Sequence, residues 1–308
     1  MIAFGCSLTS PELYDRYAHP GIELASEPDS EVMAHQGTGS LLRNYNLLLD
    51  KAAAFDDLEA LVLLHQDAEI VDPQFCAKVR EAVSDPDVAV VGSAGAIGVR
   101  SIAWWEGAVT WASFTHRYPE WGGGEFPATS WIDEETPSFA KTGEVDTIDG
   151  FVMAVSPWAV RNLRFDESLG KIHGYDFDFC CQARAAGRRV VTADLKVIHN
   201  HSLELIRDVE VWVEAHIRIA EKWDGKLPGV GTGGGDWKQR ARRAEAEAAA
   251  QRVEAHSAKL QLEALHRRYL EVQRELHELA TSKSWRVTAP LRATSEMFRR
   301  RRDGARSA

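Results

Sequence analysis

Short apolar runs separated by stretches of helical spacing constrain this chain more than any other feature. Residues 2–6 read as a first strand, 58–64 (LEALVLL) as a buried one, and 88–91 and 190–192 as two more. Between them, 40–55 has helical spacing, with Leu41, Leu48 and Ala52 among its apolar positions. Asp72 and Pro73 offer an N-cap and a first-turn proline for a helix through Val83. A further strand is expected within 147–155 and a helix over 177–186. Strands alternating with helices imply βαβ units, hence an α/β fold with a mainly parallel sheet covered by helices. Residues 104–143 break this rhythm with glycines, prolines and scattered tryptophans, and read as long loops.

A second constraint is a boundary. Residues 227–235 (LPGVGTGGG) hold five glycines and a proline, a composition that disfavours any regular element. Beyond it, positions 241 to 279 alternate in steps of three and four. The seam is Ala-rich at first, then runs through Leu262, Leu265, Tyr269, Val272, Leu276 and Leu279. That is a heptad pattern, weak in its first half and good in its second. The expected organisation is a globular domain over 1–226, a linker over 227–235, a coiled-coil helix over 236–281 and a basic tail over 282–308. A homo-oligomer held by the coiled coil follows.

Charge supports the division. Residues 236–308 carry 17 Lys and Arg against 10 Asp and Glu, whereas 1–235 carry 19 against 36. An acidic body lacks the basic surface of a nucleic-acid binder and suits cation binding. The four cysteines (Cys6, Cys76, Cys180, Cys181) include no C-x-x-C pair, so buried thiols are expected. No run approaches about 18 apolar residues, and the N-terminus lacks a signal-peptide pattern, so a cytoplasmic location is expected.

Three constellations could carry chemistry. His65-Gln66-Asp67 follows the LEALVLL strand, and ligands of open α/β sheets bind beyond the carboxyl ends of strands. A carboxylate there can reach a cation that bridges phosphates, or it can be a capping residue. His199 and His201, two apart after the 190–192 strand, would face one site on extended backbone. Finally, carboxylates at Asp146, Asp149, Asp176 and Asp178 sit beside apolar stretches. A partly desolvated carboxylate can serve as a general base. Asp176 also stands at the head of a helix, where capping is a compatible role.

LHQD, SIAWWEGA, VDTIDGFVMAV, the stretch LRFDESLGKIHGYDFDFCCQARAAGRRVV and VIHNH occur in this order. Together they resemble the nucleotide-sugar glycosyltransferases of family 2 with the GT-A fold, in the branch named after a streptomycin-biosynthesis protein. The resemblance covers residues 1–225. It implies a mixed, mainly parallel sheet and a divalent cation, Mn or Mg. It also implies a nucleotide-diphosphate sugar donor and a glycan or lipid-linked acceptor. The metal-binding Asp-x-Asp falls on His65 to Asp67, so Asp67 keeps the ligand role and His65 departs from it. The Glu-Asp pair holding the base falls on Tyr175-Asp176, where only Asp176 matches; Asp149 is the second catalytic candidate. The metal-ligating histidine falls on His199 or His201. Asn46 is expected near the nucleotide, with Ser7 at the end of the first strand beside it.

Trp104, Trp105 and Trp121 belong to a tryptophan-rich irregular segment, and flat aromatic faces there could stack on an acceptor sugar. Residues 282–292 resemble a tail found after coiled coils in bacterial polysaccharide glycosyltransferases. Arg299 to Arg302, next to Met297 and Phe298, read either as a solvated tail or as a contact with an anionic membrane surface. The leading expectation is a metal-dependent inverting glycosyltransferase of bacterial polysaccharide or glycoconjugate biosynthesis. Two alternatives stand beside it: a catalytically silent assembly subunit, and a nucleotidyltransferase. Residues 7–12 lack the Gly-rich basic loop that the second would need.

Overall fold

The computed structural model describes residues 1–37, 39–104, 107–112, 114–118, 124–125, 143–200, 208–227 and 236–290. His201, Trp105, Trp121, the glycine segment from 228 to 235 and the arginine run Arg299–Arg302 lie outside the described residues. The strands in chain order are β1 (Ile2–Leu8), β2 (Glu31–Gln36), β3 (Ala60–His65), β4 (Ala68–Ile70), β5 (Val88–Gly92), β6 (Ala94–Ile97) and β7 (Ala108–Ala112). They continue with β8 (Phe114–Tyr118), β9 (Gly124–Glu125), β10 (Thr147–Ile148), β11 (Val152–Val155), β12 (Arg189–Thr192) and β13 (Val197–Asn200). The helices that matter below are α1 (Leu41–Ala52), α2 (Phe75–Val83), α3 (Tyr175–Ala185), α4 (Val209–Trp223) and α5 (Asp236–Thr281).

Six strands form the main sheet in the order β12-β5-β11-β3-β1-β2. β1 runs parallel to β2 and β3, and β12 parallel to β5, while β11 is antiparallel to both of its neighbours. The sheet is therefore mixed and mainly parallel, flanked by helices, as the sequence leads one to expect. Its period-2 side chains fill two cores. Leu61, Leu63, Met153 and Val155 face one, with α1, α3 and α4; Val62, Leu64, Val152 and Ala154 face the other, with Phe75 and Val79 of α2. Because both faces are covered, β3 is buried almost to its last residue.

Local signals explain the element ends. Ser40 caps α1 by accepting the Arg43 N–H, and Asp72 accepts the Gln74 N–H ahead of α2. The single strand expected over 147–155 is instead two, β10 and β11, separated by Asp149-Gly150-Phe151. That break matters, because it turns the two strands into different sheets and leaves Asp149 at the turn.

The chain divides into two units, 1–255 and 256–308, with the division inside α5 rather than at the glycine segment. The Ala-rich part of the heptad, expected as the weak start of a coiled coil, belongs to the first unit. There the helix buries Ala246, Ala249, Ala250 and Val253 in the same core as α4, a face outside the heptad seam, whose Ala241, Ala244, Gln251 and Ala255 are exposed. Small side chains allow that close approach, and Arg242 and Arg243 pair with Asp224 and Glu210. In the second unit, Leu262, Leu265, Tyr269, Leu276 and Leu279 are exposed. All four cysteines are buried and free, and no described helix is long and apolar enough to cross a membrane.

Candidate active site

β3 ends at His65, which lies opposite Ser7 of β1 in the parallel register. Two residues later the chain reverses into β4, and β4 pairs antiparallel with β13, placing His199 across from Ala68. This pairing brings Asp67 to His199, because the Asn200 N–H donates to the Asp67 carbonyl at 2.8 Å. One nitrogen of each imidazole and one carboxylate oxygen of Asp67 lie within 4.8 Å of one another. His199 Nε2 is 3.6 Å and His65 Nδ1 3.9 Å from Asp67 Oδ1. His199 is buried and stacks on the Phe151 ring at 4.6 Å and 8°, which fixes its plane. Burial lowers the His65 pKa from its ordinary value, favouring the neutral imidazole. Three groups so arranged can hold one divalent cation.

Gln66, between His65 and Asp67, has a different task. Its carbonyl oxygen accepts the Thr9 and Ser10 N–H groups at 2.8 Å, and its amide donates to Thr9 Oγ1 at 2.7 Å. The loop after β1 is thereby tied to the turn between β3 and β4.

The four carboxylates expected beside apolar stretches separate into two pairs. Asp146 accepts from the Gly98 N–H and pairs with Arg184 at 2.8 Å. Asp178 is wholly buried and takes Lys222, the Trp223 indole N–H and the Gln182 amide. Both are structural. Asp149 and Asp176 remain at the cluster. Asp149 Oδ2 accepts from the Trp104 indole at 3.1 Å and Oδ1 from the Phe151 N–H. Asp176 sits in the first turn of α3, accepting the Phe177 N–H at 2.8 Å and the Gly150 N–H at 2.9 Å. Desolvation and the negative charge of Asp149 push the Asp176 carboxyl up to about 7, overriding those donors. A carboxylate that takes a proton near neutrality can act as a general base.

A family model described as a glycosyltransferase-like family matches residues 9–218, more than half of the chain. The chain belongs to this glycosyltransferase-like family. It is 31% identical to the streptomycin biosynthesis protein StrF of Streptomyces griseus over 210 residues, 66% of this chain and 67% of that protein. Similar solved structures include a mannosyltransferase of Pyrobaculum calidifontis in complex with GDP-Man and Mn2+. It is 13% identical at a TM-score of 0.45, covering 95% of this chain and 84% of that one. Another is GalNAc-T7 with UDP, GalNAc and Mn2+, at 11% identity and a TM-score of 0.42. There the match spans 80% of this chain and 54% of that one.

In this glycosyltransferase, the matched span includes His65, Asp67, Asp149, Asp176 and His199, while Ser7 lies just before it. His65, Asp67, His199, Asp149 and Asp176 are brought together. Trp104 joins them through Asp149, so its indole N–H is engaged by a site carboxylate. Asn46, expected near the nucleotide, faces another way. Its amide donates to the Phe165 carbonyl and to Glu167 and accepts the Phe165 N–H. The asparagine that reaches β1 is Asn44, buried and donating to Ser7 Oγ at 2.8 Å. Both asparagines flank the buried stripe of α1, on opposite sides, so helical spacing alone could not choose between them. Tyr175 is a second residue outside the expected set, reaching His65 from the start of α3.

Proposed function

We propose that this glycosyltransferase moves a sugar from a nucleotide-diphosphate donor to an acceptor hydroxyl with inversion, in bacterial polysaccharide or glycoconjugate assembly. One observation carries the reading. Three cation-ligating groups and a carboxylate that protonates near neutrality meet beyond the carboxyl end of β3. Two imidazoles and one carboxylate fit a divalent cation that accepts nitrogen as well as oxygen, which favours Mn2+ over Mg2+. When bound, such a cation offsets charge on the diphosphate leaving group. His65, Asp67 and His199 hold it. Asp176 takes the proton from the acceptor hydroxyl during a single displacement, and one displacement inverts the anomeric centre. Asp149 sustains the basicity of Asp176 and binds the indole of Trp104, whose flat ring would stack on an acceptor sugar.

Asp67→Ala is expected to abolish Mn2+-stimulated hydrolysis of the donor, and His199→Ala to reduce it strongly, with metal-free melting temperatures unchanged. Donor turnover indifferent to chelation would remove the cation from this reading. No turnover at all by the wild-type protein would favour the silent assembly subunit.

The exposed leucines of α5 support a homo-oligomer. Leu262, Leu265, Tyr269, Leu276 and Leu279 keep the three-four alternation that a partner helix would bury. Light scattering at micromolar concentration is expected to find an oligomer, and Leu265→Glu with Leu276→Glu a monomer of unchanged donor binding. A monomeric wild-type chain would overturn this assignment.

A further inference from the structure

The two positions at which this chain departs from the resemblance touch each other. His65 stands where a first metal-binding acid is expected, and Tyr175 where a glutamate is expected. Their side chains share a 2.7 Å hydrogen bond between His65 Nε2 and the Tyr175 hydroxyl. The neighbouring atoms are arranged around that contact. The Tyr175 ring packs edge-on against Tyr45 at 5.7 Å and tilted against Phe165 at 6.0 Å, so its hydroxyl is held in one place. Gly150 makes the space, since a Cβ there would collide with Tyr175 Oη. Gly150 also donates its N–H to Asp176. The same backbone position therefore admits the phenol and fixes the carboxylate that follows it.

We propose that Tyr175 is the positioning residue for a histidine metal ligand: it accepts the Nε2–H of His65 and thereby aims the Nδ1 lone pair at the cation shared with Asp67 and His199. The inference rests on the metal reading above and deepens it. A histidine bound through one nitrogen commonly donates the other N–H to a fixed acceptor, which sets both tautomer and ring orientation. A carboxylate in place of His65 would have no such need, whereas an imidazole can rotate away from the ion. The pair also gives the site its nitrogen-rich donor set, so cation preference depends on a residue that never touches the cation. Because Tyr175 and Asp176 are consecutive at the start of α3, the metal ligand and the proposed base are held by one turn of helix.

The test measures Mn2+ and Mg2+ binding to the full-length chain by calorimetry, without substrate. Wild-type protein is expected to prefer Mn2+. Tyr175→Phe keeps the ring and its packing but deletes the acceptor. It is expected to lower Mn2+ affinity by about 10–100-fold, to narrow the Mn2+ over Mg2+ preference, and to melt close to wild type. His65→Ala is expected to weaken Mn2+ at least as much. The double variant should then be no worse than His65→Ala alone, because the tyrosine acts only through the histidine. That non-additivity is a readout general destabilisation would not produce, so it decides the matter even if Tyr175→Phe melts early. Additive losses, or an unchanged Mn2+ affinity in Tyr175→Phe while Asp67→Ala abolishes binding, would overturn the role of Tyr175. Unchanged binding in Asp67→Ala would overturn the metal site and this inference with it.

Discussion

Asp176→Asn is expected to fold, to bind donor and Mn2+ with near-native affinity, and to transfer sugar to the acceptor at least about 10²-fold more slowly. The amide keeps the shape of the side chain and can still accept one backbone N–H, but it cannot take a proton. Wild-type transfer should rise with pH and level off above about 7, where Asp176 is ionised. Stability should move the other way. The folded state holds this proton more tightly than the unfolded chain, whose aspartates ionise near about 4. Folding stability is therefore lost as pH rises from there to about 7. Asparagine removes that loss. Metal-free Asp176→Asn is expected to melt above wild type at about pH 8 and level with it near about pH 4. An inactive variant that gains stability only at the higher pH would identify a carboxylate burdened for function. Retention of most transferase activity would move the base to Asp149.

Asp178→Ala is expected to give the largest stability loss of the four carboxylates Asp146, Asp149, Asp176 and Asp178, and little change in chemistry. Asp176 and Asp178 are two residues apart in sequence, yet α3 turns them to different surroundings. Asp178 is wholly buried and accepts from Lys222, the Trp223 indole and Gln182, fastening α4 to α3. Removing it leaves the indole N–H unpaired and strips a half-buried lysine of one of its two carboxylates. A broken buried pair costs about 3–5 kcal/mol, and the remaining Asp166 contact places this one near the low end. Melting is expected to fall by roughly 6–12 °C. Mn2+ affinity and transfer per folded molecule should stay within a few-fold of wild type. A melting temperature within a degree or so of wild type would show that the network is incidental.

The sorting of the acidic residues shows where sequence reasoning reaches its limit. Asp146, Asp149, Asp176 and Asp178 look alike in the primary structure, each a carboxylate beside apolar neighbours. Burial alone does not separate them either, since Asp178 is the most deeply buried and is neutralised by a lysine. What separates them is which partner arrives from elsewhere in the chain. Arg184 reaches Asp146 and Lys222 reaches Asp178, whereas among the described residues the charge that raises Asp176 is that of another carboxylate, Asp149.

Elements whose cause is local were legible in the sequence. Short continuous apolar runs, separated by helical spacing with Ser40 and Asp72 at the starts, are enough for a mainly parallel sheet flanked by helices. Position at the end of β3 likewise marked His65 and Asp67, because a strand that leaves a sheet at its carboxyl end must present the next residues to solvent or ligand. The structure added what depends on pairing over long separations. The antiparallel β11 and the split at Asp149-Gly150-Phe151 arise from register with β3 and β5, which no periodicity encodes. The choice of Asn44 over Asn46 beside Ser7 follows from how α1 is rotated against β1. The burial of Ala246, Ala249 and Ala250 follows from a docking surface on the body that the heptad pattern could not show. Likewise, Tyr175 became a partner of His65 only when residues 110 apart in sequence were brought within 2.7 Å. Local sequence sets which backbone is cheap to form, whereas contacts between distant segments decide which side chains share one site.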